Sequence, residues 1–174
     1  HGRIRTHERV ASRAPSRVVV DGRGPARVPA RLDSDPRPPS GYRRMVIGGL
    51  TPTSTGNAVV LMDDASRRGL GLAVGDKESL SSLLRLDRHR LDRPLHNLLG
   101  EVVKKLGGDV TSVRVSRVEG DVFYASVSIT KDGKPFDVDA RPNDAIALAI
   151  GDHVPVFVAE RVLAQAGVDL ETLE

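Results

Sequence analysis

No cysteine occurs in the 174 residues, which excludes a disulfide framework, a zinc ribbon, a thiol nucleophile and a thiolate-held iron–sulfur centre together. Tryptophan is also missing, and two Tyr with three Phe are too few for an aromatic platform on which bases stack. No apolar run approaches the roughly 18 residues of a membrane-spanning helix, so no membrane partner is expected. Gly69, Gly71 and Gly75 miss the dinucleotide spacing, and no Gly-Lys-Ser/Thr is present for a P-loop. Chemistry by oxygen and nitrogen groups is what remains.

The charge is unevenly spread. Residues 1–44 hold eleven Arg and no Lys against four acids, Glu8, Asp21, Asp33 and Asp35. The remainder holds fifteen basic and nineteen acidic residues, so the net +3 hides an acidic body behind a basic leader. Six of the eleven Pro fall in the leader, and its longest apolar stretch is Val18-Val19-Val20. Such a segment buries too little surface to offset its ordering entropy, so residues 1–44 are expected to be a disordered Arg/Pro-rich tail and 45–174 a domain. Its spaced arginines suit phosphates; a solvated leader upstream of Met45 is the plainer reading. The compartment expected is the cytoplasm, with a processed exported form as the alternative.

Short apolar runs at 46–50 and 58–62, separated by a turn-rich 51–57, predict a hairpin, and 70–74 a third strand. Asp76 is placed to cap a helix to about Arg85, with Leu80, Leu83 and Leu84 on one stripe. Pro94 opens a second helix whose Leu95, Leu98, Leu99, Val102, Val103 and Leu106 form an amphipathic face. His96, Asn97, Glu101, Lys104 and Lys105 fall on its polar side, and Gly107-Gly108 ends it. Alternation at 112–116 and 123–129, the Asp132-Gly133 turn and the run 135–140 predict an antiparallel meander. Residues 141–150 form a helix apolar on nearly every side, expected at the centre. A strand at 154–158 and a helix at 160–166 follow. The predicted class is α+β, a largely antiparallel, mixed sheet packed with several short helices.

The residues richest in chemistry run from Asp137 to Asp144. Asp137 and Asp139 project from one face of a strand, and Asp144 lies in the first turn of the next helix. With Arg141 they form a set suited to Mg²⁺ or Mn²⁺ and a phosphate together, since a divalent ion reverses the sign an acidic surface presents. Plainer roles stand beside this one: Asp144 as a dipole partner, Asp139 with Arg141 as a structural ion pair, Asp137 simply solvated. His96 suits a general base or a metal ligand, and equally a solvated imidazole. Glu78 has the same two readings, ligand or helix-dipole partner, and His153 beside Asp152 is a weaker candidate.

The stretch Val138-Asp139-Ala140-Arg141-Pro142-Asn143-Asp144-Ala145-Ile146-Ala147-Leu148-Ala149 resembles the bifunctional nuclease family, which typically reads V-D-A-R-P-S-D-A-I-A-L-A. Pro155-Val156-Phe157-Val158-Ala159-Glu160-Arg161-Val162-Leu163 is similar to the family's P-I-F-V-x-E-x-V-L. Gly75-Asp76-Lys77-Glu78 and Arg93-Pro94-Leu95-His96-Asn97-Leu98-Leu99 resemble two further segments in order. The likeness spans about residues 45–167. It implies an α+β domain that hydrolyses DNA and RNA with divalent-metal dependence, as a homo-oligomer. Carried across position by position, its polar residues are Glu78, His96, Asp139, Arg141 and Asp144. Asn97 stands where the family has Asp, which removes a carboxylate beside His96, and Asn143 replaces Ser. A catalytically weak or inactive binding and regulatory module, acting through the basic tail or an oligomer surface, is the alternative.

Overall fold

The computed structural model describes residues 37–53, 56–63, 68–74 and 95–169. The helix expected over 76–85, Glu78 within it, and residues 1–36 of the leader lie outside the described residues. Eight strands are described: β1 (Tyr42–Thr53), β2 (Gly56–Asp63), β3 (Arg68–Val74), β4 (Gly108–Glu119), β5 (Val122–Lys131), β6 (Lys134–Ala140), β7 (Val156–Ala159) and β8 (Val168–Asp169). Three helices are described with them: α1 (Leu95–Lys105), α2 (Pro142–Asp152) and α3 (Glu160–Ala166). The strands form one sheet in the order β6-β5-β4-β7-β1-β2-β3-β8. Every neighbouring pair is antiparallel except β4 with β7, so the class is α+β with a mixed, mostly antiparallel sheet.

Strand β1 begins three residues ahead of Met45, and Tyr42 to Met45 pair with β7. The reason lies in Arg43. Its Nη1 donates to Asp63 Oδ2 at 2.9 Å and its Nε to Glu160 Oε1 at 3.3 Å. The hydrogen bond to the buried Asp63 raises the guanidinium pKa above its ordinary value. One arginine of the expected tail is therefore tied into the sheet. From Val46 onward β1 pairs with β2, and a bulge interrupts that ladder between Ile47 and Gly49. Gly49 takes φ +138° there, a conformation that disfavours side chains.

The loop expected over 51–57 is mostly strand. Thr51 is buried, and the ladder runs from Thr51 opposite Ala58 to Thr53 opposite Gly56. Threonine's branched Cβ suits the pleat. The meander β4–β5–β6 is as expected. Helix α2 is the centre of the core: Ala145, Ile146, Ala147, Leu148 and Ala149 are all buried. They share one cluster with Val59, Leu61, Leu70 and Leu72 of β2 and β3 and with Val113, Val115 and Val127 of β4 and β5. Both halves of the sheet thus pack on one apolar helix.

Helix α1 forms where expected but faces the other way. Leu98, Leu99, Val102 and Leu106 are exposed, Leu106 at 66%. The row from Asn97 through Gly100 to Lys104 instead meets α2. A Cβ on Gly100 would sit 2.5 Å from both carboxylate oxygens of Asp152. The bare glycine is what lets that side chain, only 7% exposed, lie on the helix, where Lys104 Nζ reaches its Oδ1 at 3.3 Å. Gly151 likewise accepts the Asn97 side chain on its open side. Close backbone approach at two glycines, and not the leucine stripe, decides which face of α1 turns inward.

Candidate functional site

Strand β6 is the outer strand of the meander, and its Asp139 pairs with Ser126 while Asp137 pairs with Ser128. Both aspartates lie on one face of the strand, as their spacing requires. The chain then passes through Arg141, extended at φ −67° and ψ 145°, into Pro142 at the start of α2. Proline there fixes φ and forfeits only an N–H that the first turn leaves unbonded anyway. No side chain caps this helix start, so the early amides point at whatever sits before it.

The three aspartates differ in what they touch. Asp137 accepts from Ser128 Oγ at 2.7 Å and from Arg114 Nη1 at 3.4 Å. Asp144 accepts from Arg141 Nε at 2.7 Å, one helical turn apart. Asp139 is exposed and makes no hydrogen bond or ion pair with any described residue. The structural ion pair weighed between Asp139 and Arg141 is therefore an Arg141–Asp144 pair. Arg141 remains 85% exposed beside it, so most of its guanidinium still faces solvent.

Sequence order conceals the second part of the site. Arg114 of β4, Ser126 and Ser128 of β5, and Asp137 and Asp139 of β6 come together on the polar face of three adjacent strands. Arg114 Nε is buried there with no acceptor. Further along the same strands the Arg117 guanidinium stacks 4.0 Å from the centre of the Tyr124 ring. Arg161 Nε of α3 reaches the Ser116 carbonyl at 2.8 Å. The alternation of serines and arginines with valines was the available signal, although pairing between strands was needed to assemble it.

Three expected members are absent from this cluster as described. Glu78 lies outside the described residues, and of His96 only its place in α1 is described. His153 closes α2 in a left-handed conformation at φ 55°, its backbone N–H donating to the Ile150 carbonyl and that of Val154 to the Ala149 carbonyl, which is a structural role. Among the described residues no three of His, Asp and Glu converge on one point. Asp137 and Asp144 are each committed to an arginine, so the described donors alone do not make up a Mg²⁺ or Mn²⁺ site.

Residues 59–171 match the model of the bifunctional nuclease domain. The chain is 32% identical over 124 residues to an uncharacterized protein of Mycobacterium tuberculosis, covering 70% of this chain and 74% of that one. It is 30% identical over 116 residues to bifunctional nuclease 1 of Oryza sativa subsp. indica and 28% to bifunctional nuclease 2 of Arabidopsis thaliana. Each plant match covers 64% of this chain and 35% of the plant protein, so the likeness is to about a third of those chains. Among the described residues no helix is long and apolar enough to cross a membrane. The matched span begins in β2 and takes in α2, β7 and the whole polar face of the meander, and the chain belongs to the bifunctional nuclease domain family.

Proposed function

We propose that the chain hydrolyses phosphodiester bonds of DNA and RNA, with little sequence preference, at the junction of β6 and α2. One observation carries this reading: in a family whose plant relatives are named nucleases, Asp139 is an exposed carboxylate, unpaired among the described residues, between two that arginines hold. An unpaired carboxylate accepts a proton, whereas a paired one is committed. In the proposed step Asp139 takes a proton from the attacking water as its oxygen bonds to phosphorus. The phosphorus–oxygen bond to the leaving strand breaks, and that oxygen is protonated from solvent. Arg141 faces the charge that develops on the phosphoryl oxygens. Arg114 and Ser126 of β5 offer donors to the backbone phosphates, which supports binding without base readout.

The binding-module reading has its own support, because no full ligand set for a divalent ion is found among the described residues. Glu78 and His96 are the proposed source of any remaining ligands. Incubating the full chain with single-stranded DNA and RNA, with Mg²⁺ or Mn²⁺ and then with EDTA, separates the readings. Cleavage is expected, and its loss in EDTA would assign a metal to the site. Retention of nucleic acid without cleavage would favour the binding module, and neither binding nor cleavage would remove both.

A further inference from the structure

We propose that the guanidinium of Arg117, laid on the Tyr124 ring, is a platform on which one base of a single-stranded nucleic acid stacks, about two nucleotides from the bond that Asp139 and Arg141 address. The inference rests on the nuclease reading of the β6–α2 junction and gives that site a place for a base. A bulge decides where Arg117 points. Arg114 pairs with Ser126 and Val115 with Ala125, but the register then slips, and Arg117 stands opposite Tyr124. Paired residues share a face of the sheet, and Tyr124 lies on the same face as Ser126. Regular alternation would turn Arg117 to the side of Val115, which lies in the core. The extra residue, Ser116, turns it instead to the polar face that carries Arg114 and Asp139.

Once there, Arg117 is held in place by its neighbours. Its Cζ lies 4.0 Å from the centre of the Tyr124 ring, and its Nε lies 3.6 Å from Glu119 Oε1. The Tyr124 hydroxyl donates to Glu119 Oε2 at 3.2 Å, so one carboxylate ties ring and guanidinium together. The Arg117 side chain is still 52% exposed, which leaves the side turned away from the ring to solvent. A guanidinium plane held this way stacks a base as an aromatic ring does, so a chain poor in aromatics builds the platform from a single tyrosine. Beside it, Arg161 Nε donates to the carbonyl of the bulged Ser116 at 2.8 Å, and its other guanidinium nitrogens have no partner among the described residues. Those nitrogens suit the phosphate next to the stacked base. Two strand spacings across the sheet and two residues along it separate Arg117 from Asp139, about 12 Å, which an extended single strand covers in about two nucleotides. Every base has a flat face, so the platform accepts all four, and the larger purines overlap it most.

Fluorescence anisotropy of the full chain with two labelled single strands tests this, one of deoxyadenosine and one of abasic sugar. Both are of equal length and joined by phosphorothioate links that resist cleavage. The wild-type chain should bind the base-bearing strand about tenfold more tightly. Arg117→Lys keeps the charge without the plane, and Tyr124→Leu keeps the arginine without its support, so each should lose most of that preference. A thermal melt accompanies each variant, and the exposed Arg117→Lys decides alone where Tyr124→Leu loses its fold. Among the bonds that the wild-type chain cuts in a strand of mixed sequence, purines should be enriched at one fixed position about two nucleotides from the cut, and Arg117→Lys should abolish the enrichment. A wild-type chain that cleaves but binds both strands alike overturns the platform and leaves the nuclease reading standing. A full base preference in Arg117→Lys overturns it too, because the base is then held elsewhere. A base preference that depends on Arg117, without cleavage of ordinary strands, keeps the platform and overturns the nuclease reading. Neither binding nor cleavage by the wild-type chain overturns both.

Discussion

Ile146→Asp should leave the chain without a cooperative unfolding transition. Ile146 is fully buried in the middle of α2, where both halves of the sheet pack against the helix. Truncation alone, in Ile146→Ala, removes packing from both sides and should cost about 3 kcal/mol. An aspartate adds a desolvated carboxylate with no donor among its apolar neighbours, a further several kcal/mol. The total approaches the whole stability of a typical domain, about 5–15 kcal/mol. Ile146→Val, which keeps the branched shape, should cost only about 1 kcal/mol. Urea titration followed by far-UV circular dichroism orders the three variants. An Ile146→Asp protein with the wild-type midpoint would mean that α2 is not the helix on which the sheet is built.

Arg141→Ala should lower kcat on single-stranded nucleic acid by about 10²–10³-fold, the usual loss when one donor to a developing oxyanion is removed. The fold should be unaffected. The guanidinium is largely solvated, and exposed pairs such as Arg141–Asp144 contribute less than about 1 kcal/mol. Arg141→Lys should recover part of the rate, since the charge returns without the planar fork that holds Asp144 and faces a phosphate at once. Steady-state rates with a matched urea midpoint check the prediction. A wild-type kcat in Arg141→Ala would remove the residue from the chemistry and leave it a helix-start ion pair.

Much of the fold was legible because the local signals and the tertiary structure agree. Alternation and the Asp132-Gly133 turn define the meander, where each strand pairs with its sequence neighbour. The uniform apolarity of residues 145–150 marks a buried helix, since a helix wetted on one side keeps a polar stripe. Long-range packing was not legible. The leucine stripe of α1 reads as its inward face, yet Gly100 and Gly151 set that face by letting Asp152 and Asn97 sit on helix backbone. Arg43 reads as part of a basic leader until its partners, Asp63 and Glu160, are known. The cluster of Arg114, Ser128 and Asp137 spans three strands, and register alone assembles it. The family motif was plain in one stretch of sequence, but not that Arg141 within it pairs with Asp144, nor that Arg114, two strands away, holds Asp137 just ahead of it.

Asp139→Ala and Asp137→Ala, assayed side by side on single-stranded DNA and RNA, test the central claim most directly. The two residues share a strand and a face, so general damage to β6 should affect both alike, whereas their partners differ: Asp137 is held by Ser128 and Arg114 and Asp139 has none among the described residues. The account predicts that Asp139→Ala loses at least about 10²-fold in rate with its melt unchanged, and that Asp137→Ala loses much less. Equal losses would place the effect in the strand and not in the carboxylate. Wild-type rates in Asp139→Ala would contradict the site outright.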